Sequence, residues 1–229
     1  MELHMQANEI QPALSPIFYD GDGSVAAAAT LAVRGERGWI GGFGVAPAHR
    51  GAGVASLLLK ALLTNARQNY IRTVALEVLS QNSRAIRTYE RGGFRTRRKL
   101  ESSRWLAPAD CPAQVPLAAP DPFLDRPDIA TPCWQRESRS LRRQPSLRAV
   151  SAAENVYAIF RHDRHEAQIL KAEAQSSEEL AALAASIAGA LKLDGVSLFN
   201  EPSDSDLAGF ARALGWRSMF EQHEMVRTL

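Results

Sequence analysis

Cysteine is scarce: there are two in 229 residues, Cys111 and Cys133. Neither sits in a CxxC pair and no histidine lies at ligand spacing from them, so a disulfide framework and a zinc site are not expected, and no metal is assigned. Lysine is rare too, only four of the 27 basic residues, and the net charge is +2. So small an excess gives no support for a nucleic acid or an anionic membrane as partner. No apolar run reaches the roughly 18 residues that cross a bilayer. Residues 1–16 show no basic-then-apolar leader. The expectation is a soluble cytoplasmic protein, with 45% hydrophobic and 23% charged residues as in ordinary globular chains. The length suits one large domain or two small ones.

What is present is an alternation of strand and helix signals. Residues 1–13 are polar and nearly patternless. Ser15–Asp20 reads as a short strand ended by the turn Asp20-Gly21-Asp22-Gly23. Ser24–Arg34 and Trp39–Val45 read as a hairpin around Gly35-Glu36-Arg37-Gly38. Val54, Leu57, Leu58, Ala61 and Leu62 share one helical face in a helix that runs to about Asn69. Thr73–Leu79 is a buried strand, Ser83–Arg91 a short helix stopped at Gly92-Gly93, and Phe94–Leu106 one or two strands. Eight of the twelve prolines fall in 107–148, which reads as a linker. Order returns at about Leu147. Val156–His162 and Glu166–Ala174 are strands, Ser176–Leu193 is an alanine-rich helix and Gly195–Asn200 a strand. Ser203–Leu214 is a helix capped by Ser203 or Asp204, and one or two last strands follow from Trp216.

A shift of about 122 residues brings the halves into step. Val74 lies on Val196, Ser83 on Ser205, and Gly93-Phe94 on Gly215-Trp216. Both halves read strand, strand, long helix, strand, short helix, strand, as two copies of one fold would. The division expected is 1–106, a linker over 107–148, and a second, degenerate copy over 149–229.

The chemistry concentrates at Arg50-Gly51-Ala52-Gly53-Val54-Ala55, between a strand and a helix. Glycines let the backbone approach a ligand, and the first helical turn offers unpaired N–H groups with partial positive charge. Arg50 adds a full charge, so the turn suits a pyrophosphate. An ordinary tight turn is the alternative. In the second copy the stretch corresponding to His49–Ala55 is Lys171-Ala172-Glu173-Ala174-Gln175-Ser176-Ser177, without the glycines and with an acid.

Arg50-x-x-Gly53-x-Ala55 resembles the Arg/Gln-x-x-Gly-x-Gly/Ala signature of the GCN5-related N-acetyltransferase (GNAT) family. Val45-Ala46-Pro47, Leu76-Glu77-Val78, Asn82, Ala85, Tyr89 and Gly93-Phe94 also match its blocks, so the likeness covers about residues 15–100. It implies an α+β fold: a mixed, mostly antiparallel sheet flanked by helices, here in two copies. It implies acetyl-CoA as cofactor and direct transfer of the acyl group to a primary amine, on a small molecule or a peptide. On this resemblance the backbone of Gly51, Ala52, Gly53, Val54 and Ala55 binds the CoA pyrophosphate beside Arg50. Phe43, Gly44 and Val45 pair with the pantetheine arm. Asn82 hydrogen-bonds the pantetheine, Ala85 stands beside it, and Arg84 reaches a phosphate. Tyr89 protonates the departing thiolate. Glu77, twelve residues before the tyrosine as in members that acetylate N-terminal amines, is the general base. Gly41, Gly42 and Gly44 suit a bulge in the cofactor strand. For Glu77 a strand glutamate on a polar face is the alternative, for Tyr89 a packed aromatic, for Arg84 an exposed helix arginine.

The family usually begins with a strand and two helices that help form the acceptor site. About thirteen residues stand in their place, so the first copy is expected to lack its N-terminal helices, with the second copy or a homodimer partner covering the gap. Tyr89 falls opposite Ala211, so the second copy is expected to be non-catalytic. His162, His165 and His223 read as surface or structural residues. Two rival functions follow from the same residues. One is a non-catalytic acyl-CoA sensor or scaffold. The other is an NAD(P)-binding oxidoreductase, because Gly51 to Ser56 also resembles G-x-G-x-x-G/A with Glu77 downstream. Too few βαβ units remain for that fold.

Overall fold

The computed structural model describes residues 2–113 and 115–229. The chain forms two units: Met1–Arg98 with His223–Leu229, and Lys99–Gln222. Their bounds differ from the sequence-based division, because the last strand returns residues to the first unit and the proline-rich stretch lies wholly in the second.

The first unit runs α1 (Glu2–Asn8), β1 (Ile17–Tyr19), β2 (Val25–Arg34), β3 (Arg37–Val45), α2 (Val54–Gln68), β4 (Thr73–Leu79), α3 (Ser83–Arg91) and the start of β5 (Arg95–Leu106). Its strand order is β1-β2-β3-β4-β11-β5, where β11 (Arg217–Thr228) supplies its last residues. β2 and β3 are antiparallel, while β3 and β4 are parallel over only four pairs, Arg37↔Thr73 to Ile40↔Leu76. Beyond them the two strands part. The register of β2 against β3 slips between Thr30 and Leu31, which leaves Gly41 as the extra residue of a bulge.

Two details of this unit depart from the sequence reading. Residues 2–8 are helical although they looked patternless, since Leu, Met, Gln and Ala favour helix but two turns are too few to display a period. In α2 the core face is Leu58, Leu59, Leu62, Leu63 and Ala66, and Leu57 is 59% exposed. The run Leu57-Leu58-Leu59 fits either face, and burial against Leu31, Ile40, Val74 and Leu76 selects the rotated one.

The second unit runs from β5 through β6 (Leu117–Ala118), α4 (Asp121–Leu124), α5 (Ser138–Leu141), β7 (Arg148–Ala153), β8 (Val156–His162), β9 (Glu166–Glu173), α6 (Ser177–Leu191), β10 (Gly195–Pro202) and α7 (Asp206–Ala213). Its strand order is β5-β10-β9-β8-β7-β6. Ser205, rather than Ser203 or Asp204, caps α7, accepting from Ala208 N. The proline-rich stretch has little regular structure but buries Phe123, Leu124, Trp134 and Leu141. Cys111 and Cys133 are not joined to each other.

The shift of 122 recurs in the elements: β4, α3 and β5 begin at 73, 83 and 95, and β10, α7 and β11 at 195, 206 and 217. β9 and β10 are also parallel over four pairs and then part, and a bulge again sits opposite the preceding strand, between Ile159 and Phe160. The connection into the long helix differs. Eight residues join β3 to α2, and three join β9 to α6.

Candidate active site

The parting of β3 and β4 makes the site. Ala46 N–H bonds to Ala26 O on β2, so ladder alternation turns the backbone groups of Phe43 and Val45 to the opposite edge, where β4 no longer pairs. Below that edge the chain turns through Gly51 (φ +89°) and Gly53 (φ +81°), left-handed conformations that favour glycine. Gly53 caps α2 without a side-chain bond, and a Cβ there would meet nothing within 4 Å. Among the described residues, the N–H groups of Gly51, Ala52, Gly53, Val54 and Ala55 have no hydrogen-bond acceptor. The first amides tied down after them are Ser56 and Leu57, both to Gly53 O. Five open donors at a helix start form an anion cradle.

The cradle opens into a cavity of about 680 Å³. Of the residues singled out in the sequence, Phe43, Gly44, Val45, Arg50, Gly51, Gly53, Val54, Ala55, Asn82, Arg84, Ala85 and Tyr89 line it. Ala52 and Glu77 do not. His49, Ser56, Arg87, Thr88 and Arg91 line it as well and were missed. Arg84, Arg87 and Arg91 stand at i, i+3 and i+7 on α3, a spacing that could have been noticed. With Arg50 they make four arginines in the lining, and no aspartate or glutamate among the described residues lines it. Arg50 Nε donates to Val45 O at 3.1 Å, and His49 Nε2 lies 3.1 Å from Asp20 Oδ2, which ties the loop to the β1–β2 turn. Asn82 caps α3 by accepting from Ala85 N at 3.1 Å.

Tyr89 is buried between Phe43 (centroids 5.7 Å) and Phe94 (5.9 Å), and burial pushes its hydroxyl up to about 12. The phenol stays protonated at any physiological pH. Glu77 sits on the face of β4 opposite Leu76 and Val78. Burial raises its carboxyl to about 7, opposed by the hydrogen bond from Trp39; Glu224 pushes it further up and Arg98 pulls it down. Trp39 Nε1 donates to Oε2 at 2.6 Å, and Oε1 is buried without a hydrogen-bond partner. Glu224 is held by Arg98 (2.8 Å) and Arg97 (3.0 Å).

The corresponding region of the second unit is built differently. Arg136 crosses the parting of β9 and β10, donating from Nε to Leu170 O (2.6 Å) and from Nη1 to Asn200 O (3.0 Å), with Nη2 2.5 Å from Glu201 Oε2. A cavity of about 140 Å³ remains. The start of α6 is closed by its own side chains: Ser176 Oγ accepts from Glu179 N, and Glu179 Oε2 from Gln175 N. No helix among the described residues is long and apolar enough to cross a membrane.

Residues 2–94 match the family model described as acetyltransferase (GNAT) family. No curated protein matches the chain. Several solved structures share the fold. A candidate acetyltransferase from Pyrococcus horikoshii is 14% identical with a TM-score of 0.68, over 100% of this chain and 77% of that one. A GCN5-related N-acetyltransferase from Sphaerobacter thermophilus is 17% identical with a TM-score of 0.64, over 93% and 80%. A tandem GNAT protein from the clavulanic acid biosynthesis pathway is 14% identical with a TM-score of 0.65, over 100% and 88%. Residues 2–94 thus match the acetyltransferase (GNAT) family model, and the whole chain shares its fold with a tandem GNAT protein.

Proposed function

We propose that the first unit is an acetyl-CoA-dependent N-acetyltransferase that moves the acetyl group directly to a primary amine. The observation that carries this reading is the run of five open N–H groups from Gly51 to Ala55, set in a cavity that reaches Tyr89 and whose charged lining residues are arginines. Those amides and Arg50 would hold the pyrophosphate, with Arg84 available to a phosphate. The free edge of Phe43 and Val45 would pair with the pantetheine amides, with Asn82 and Ala85 flanking the arm.

An ammonium acceptor loses its proton to Glu77, directly or through one water, once that carboxyl is ionised. The free amine attacks the thioester carbonyl and the C–S bond breaks. The Tyr89 hydroxyl gives its proton to the leaving sulfur, the nitrogen sheds its second proton to restore the phenol, and Glu77 returns its own to solvent, so amide and thiol are the products. Neither cysteine lines the cavity, and the proposed route uses no acyl-cysteine intermediate.

Calorimetric titration with acetyl-CoA and, separately, NADH tests the reading. Micromolar acetyl-CoA binding that disappears in Gly53→Asp is the expected result. A folded protein that ignores acetyl-CoA would sink it, and NADH binding would favour the oxidoreductase.

A further inference from the structure

The geometry points to Trp39 as the residue that positions the Glu77 carboxylate, an inference that rests on Glu77 acting as the base. Trp39 pairs with Ala75 one step before β3 and β4 part, so its indole stands at the rim of the split. To reach Glu77 the ring lies across its own strand. A Cβ on Gly41 would come within 2.4 Å of the indole Cζ3, which only glycine avoids. The bulge residue therefore has a second purpose besides shaping β3: it clears the path of the ring.

The indole is suited to this task. It has one N–H donor, no acceptor and no accessible titration, so it can hold a carboxylate oxygen but cannot exchange protons with it. A donor at 2.6 Å on Oε2 fixes the carboxyl plane and leaves Oε1, which has no partner, to take the proton. The charged groups acting on Glu77 come from two other strands, Glu224 on β11 and Arg98 on β5. These two are bound to each other at 2.8 Å, so their opposed influences largely offset. From α1 the His4 ring lies 6.5 Å from the indole, tilted by 53°. Trp39 is thus the side-chain donor that holds the carboxylate, beside a weaker contribution from the Glu77 backbone itself.

A residue that only filled space would not report the ionisation of Glu77. Indole N–H correlation spectra of nitrogen-15-labelled protein, recorded from pH 5 to 9, separate the two roles. One of the four tryptophan signals, identified by its loss in Trp39→Phe, is expected to move with a midpoint near 7 in the native chain and to stay still in Glu77→Gln. Carbon-13 spectra of the glutamate carboxyls should show the Glu77 midpoint raised by about one unit in Trp39→Phe and in Gly41→Ala, since each removes or displaces the donor to the ionised form. If Trp39→Phe does not fold, the native and Glu77→Gln spectra decide alone. Four indole signals that ignore pH across this range would overturn the proposal. Neither spectrum involves acetyl-CoA, so failure to bind that cofactor would defeat the acetyltransferase reading without being mistaken for a failure of the Trp39–Glu77 pairing.

Discussion

Glu77 carries a charge problem that can be measured as stability. Its carboxyl is raised by burial from 4.5 to about 7 in the folded chain. Between those values the folded state holds a proton that the unfolded state has released, so stability falls as pH rises through the window and stays low above it. The full penalty is on the order of 3 kcal/mol. Glu77→Gln should therefore melt at a higher temperature than the native chain at pH 8 and at nearly the same temperature at pH 4. A lower melting temperature at pH 8 would mean that the ionised carboxyl is stabilised by its partners after all. In activity the sign is reversed: kcat/KM should rise as pH passes through about 7, where the base ionises. Tyr89→Phe keeps the ring between Phe43 and Phe94 and loses only the proton donor. It should lower kcat by roughly 10²–10⁴-fold while acetyl-CoA affinity by calorimetry stays the same. The types and spacing of Glu77 and Tyr89 were legible in the sequence. The indole on Glu77 was not, because it joins residues 38 apart through a clearance at Gly41 that no local pattern displays.

Among elements, α2 is the clearest case of what periodicity can and cannot supply. Its existence, its start after Gly53 and the neighbouring strand β4 are all readable, since glycine punctuation and a recurring apolar face mark them. Which leucines face inward is not readable when three stand in a row. The structure places Leu58 and Leu62 in the core and leaves Leu57 outside. Leu62→Ala should cost about 2–5 kcal/mol in chemical denaturation, the range for a buried leucine whose site cannot collapse. Leu57→Gln should leave the midpoint within experimental scatter. Equal losses from both would return the helix to the face expected from sequence. Helix α1 and the buried parts of 107–148 escaped the sequence reading for a related reason: two-turn helices and proline-rich coils bury side chains without repeating them at a fixed interval.

For the molecule as a whole, the two repeated units build different surroundings on one scaffold. Both have a parallel pair that parts after four residues; the shift of 122 displayed the repeated order of elements in the sequence but not this parting. The difference lies in what enters the parting. In the first unit it is an open cavity of about 680 Å³ headed by free amides. In the second, three residues replace the eight-residue loop, Ser176 and Glu179 close the helix start, and Arg136 ties Leu170 to Asn200. In sequence Arg136 is one more charge in a polar stretch; in the fold it is 6% exposed and opposite a buried Glu201. Removing it strands that carboxylate, so Arg136→Met should destabilise the chain by about 3–5 kcal/mol. The same arrangement fixes a count. Acetyl-CoA should titrate to one molecule per chain, and Gly53→Asp should abolish all of it. Two molecules per chain, or a residual site in Gly53→Asp, would show that the second parting still admits a nucleotide despite Arg136. A stoichiometry of one that is lost with Gly53 would mean that duplication kept the scaffold twice and the cofactor site once.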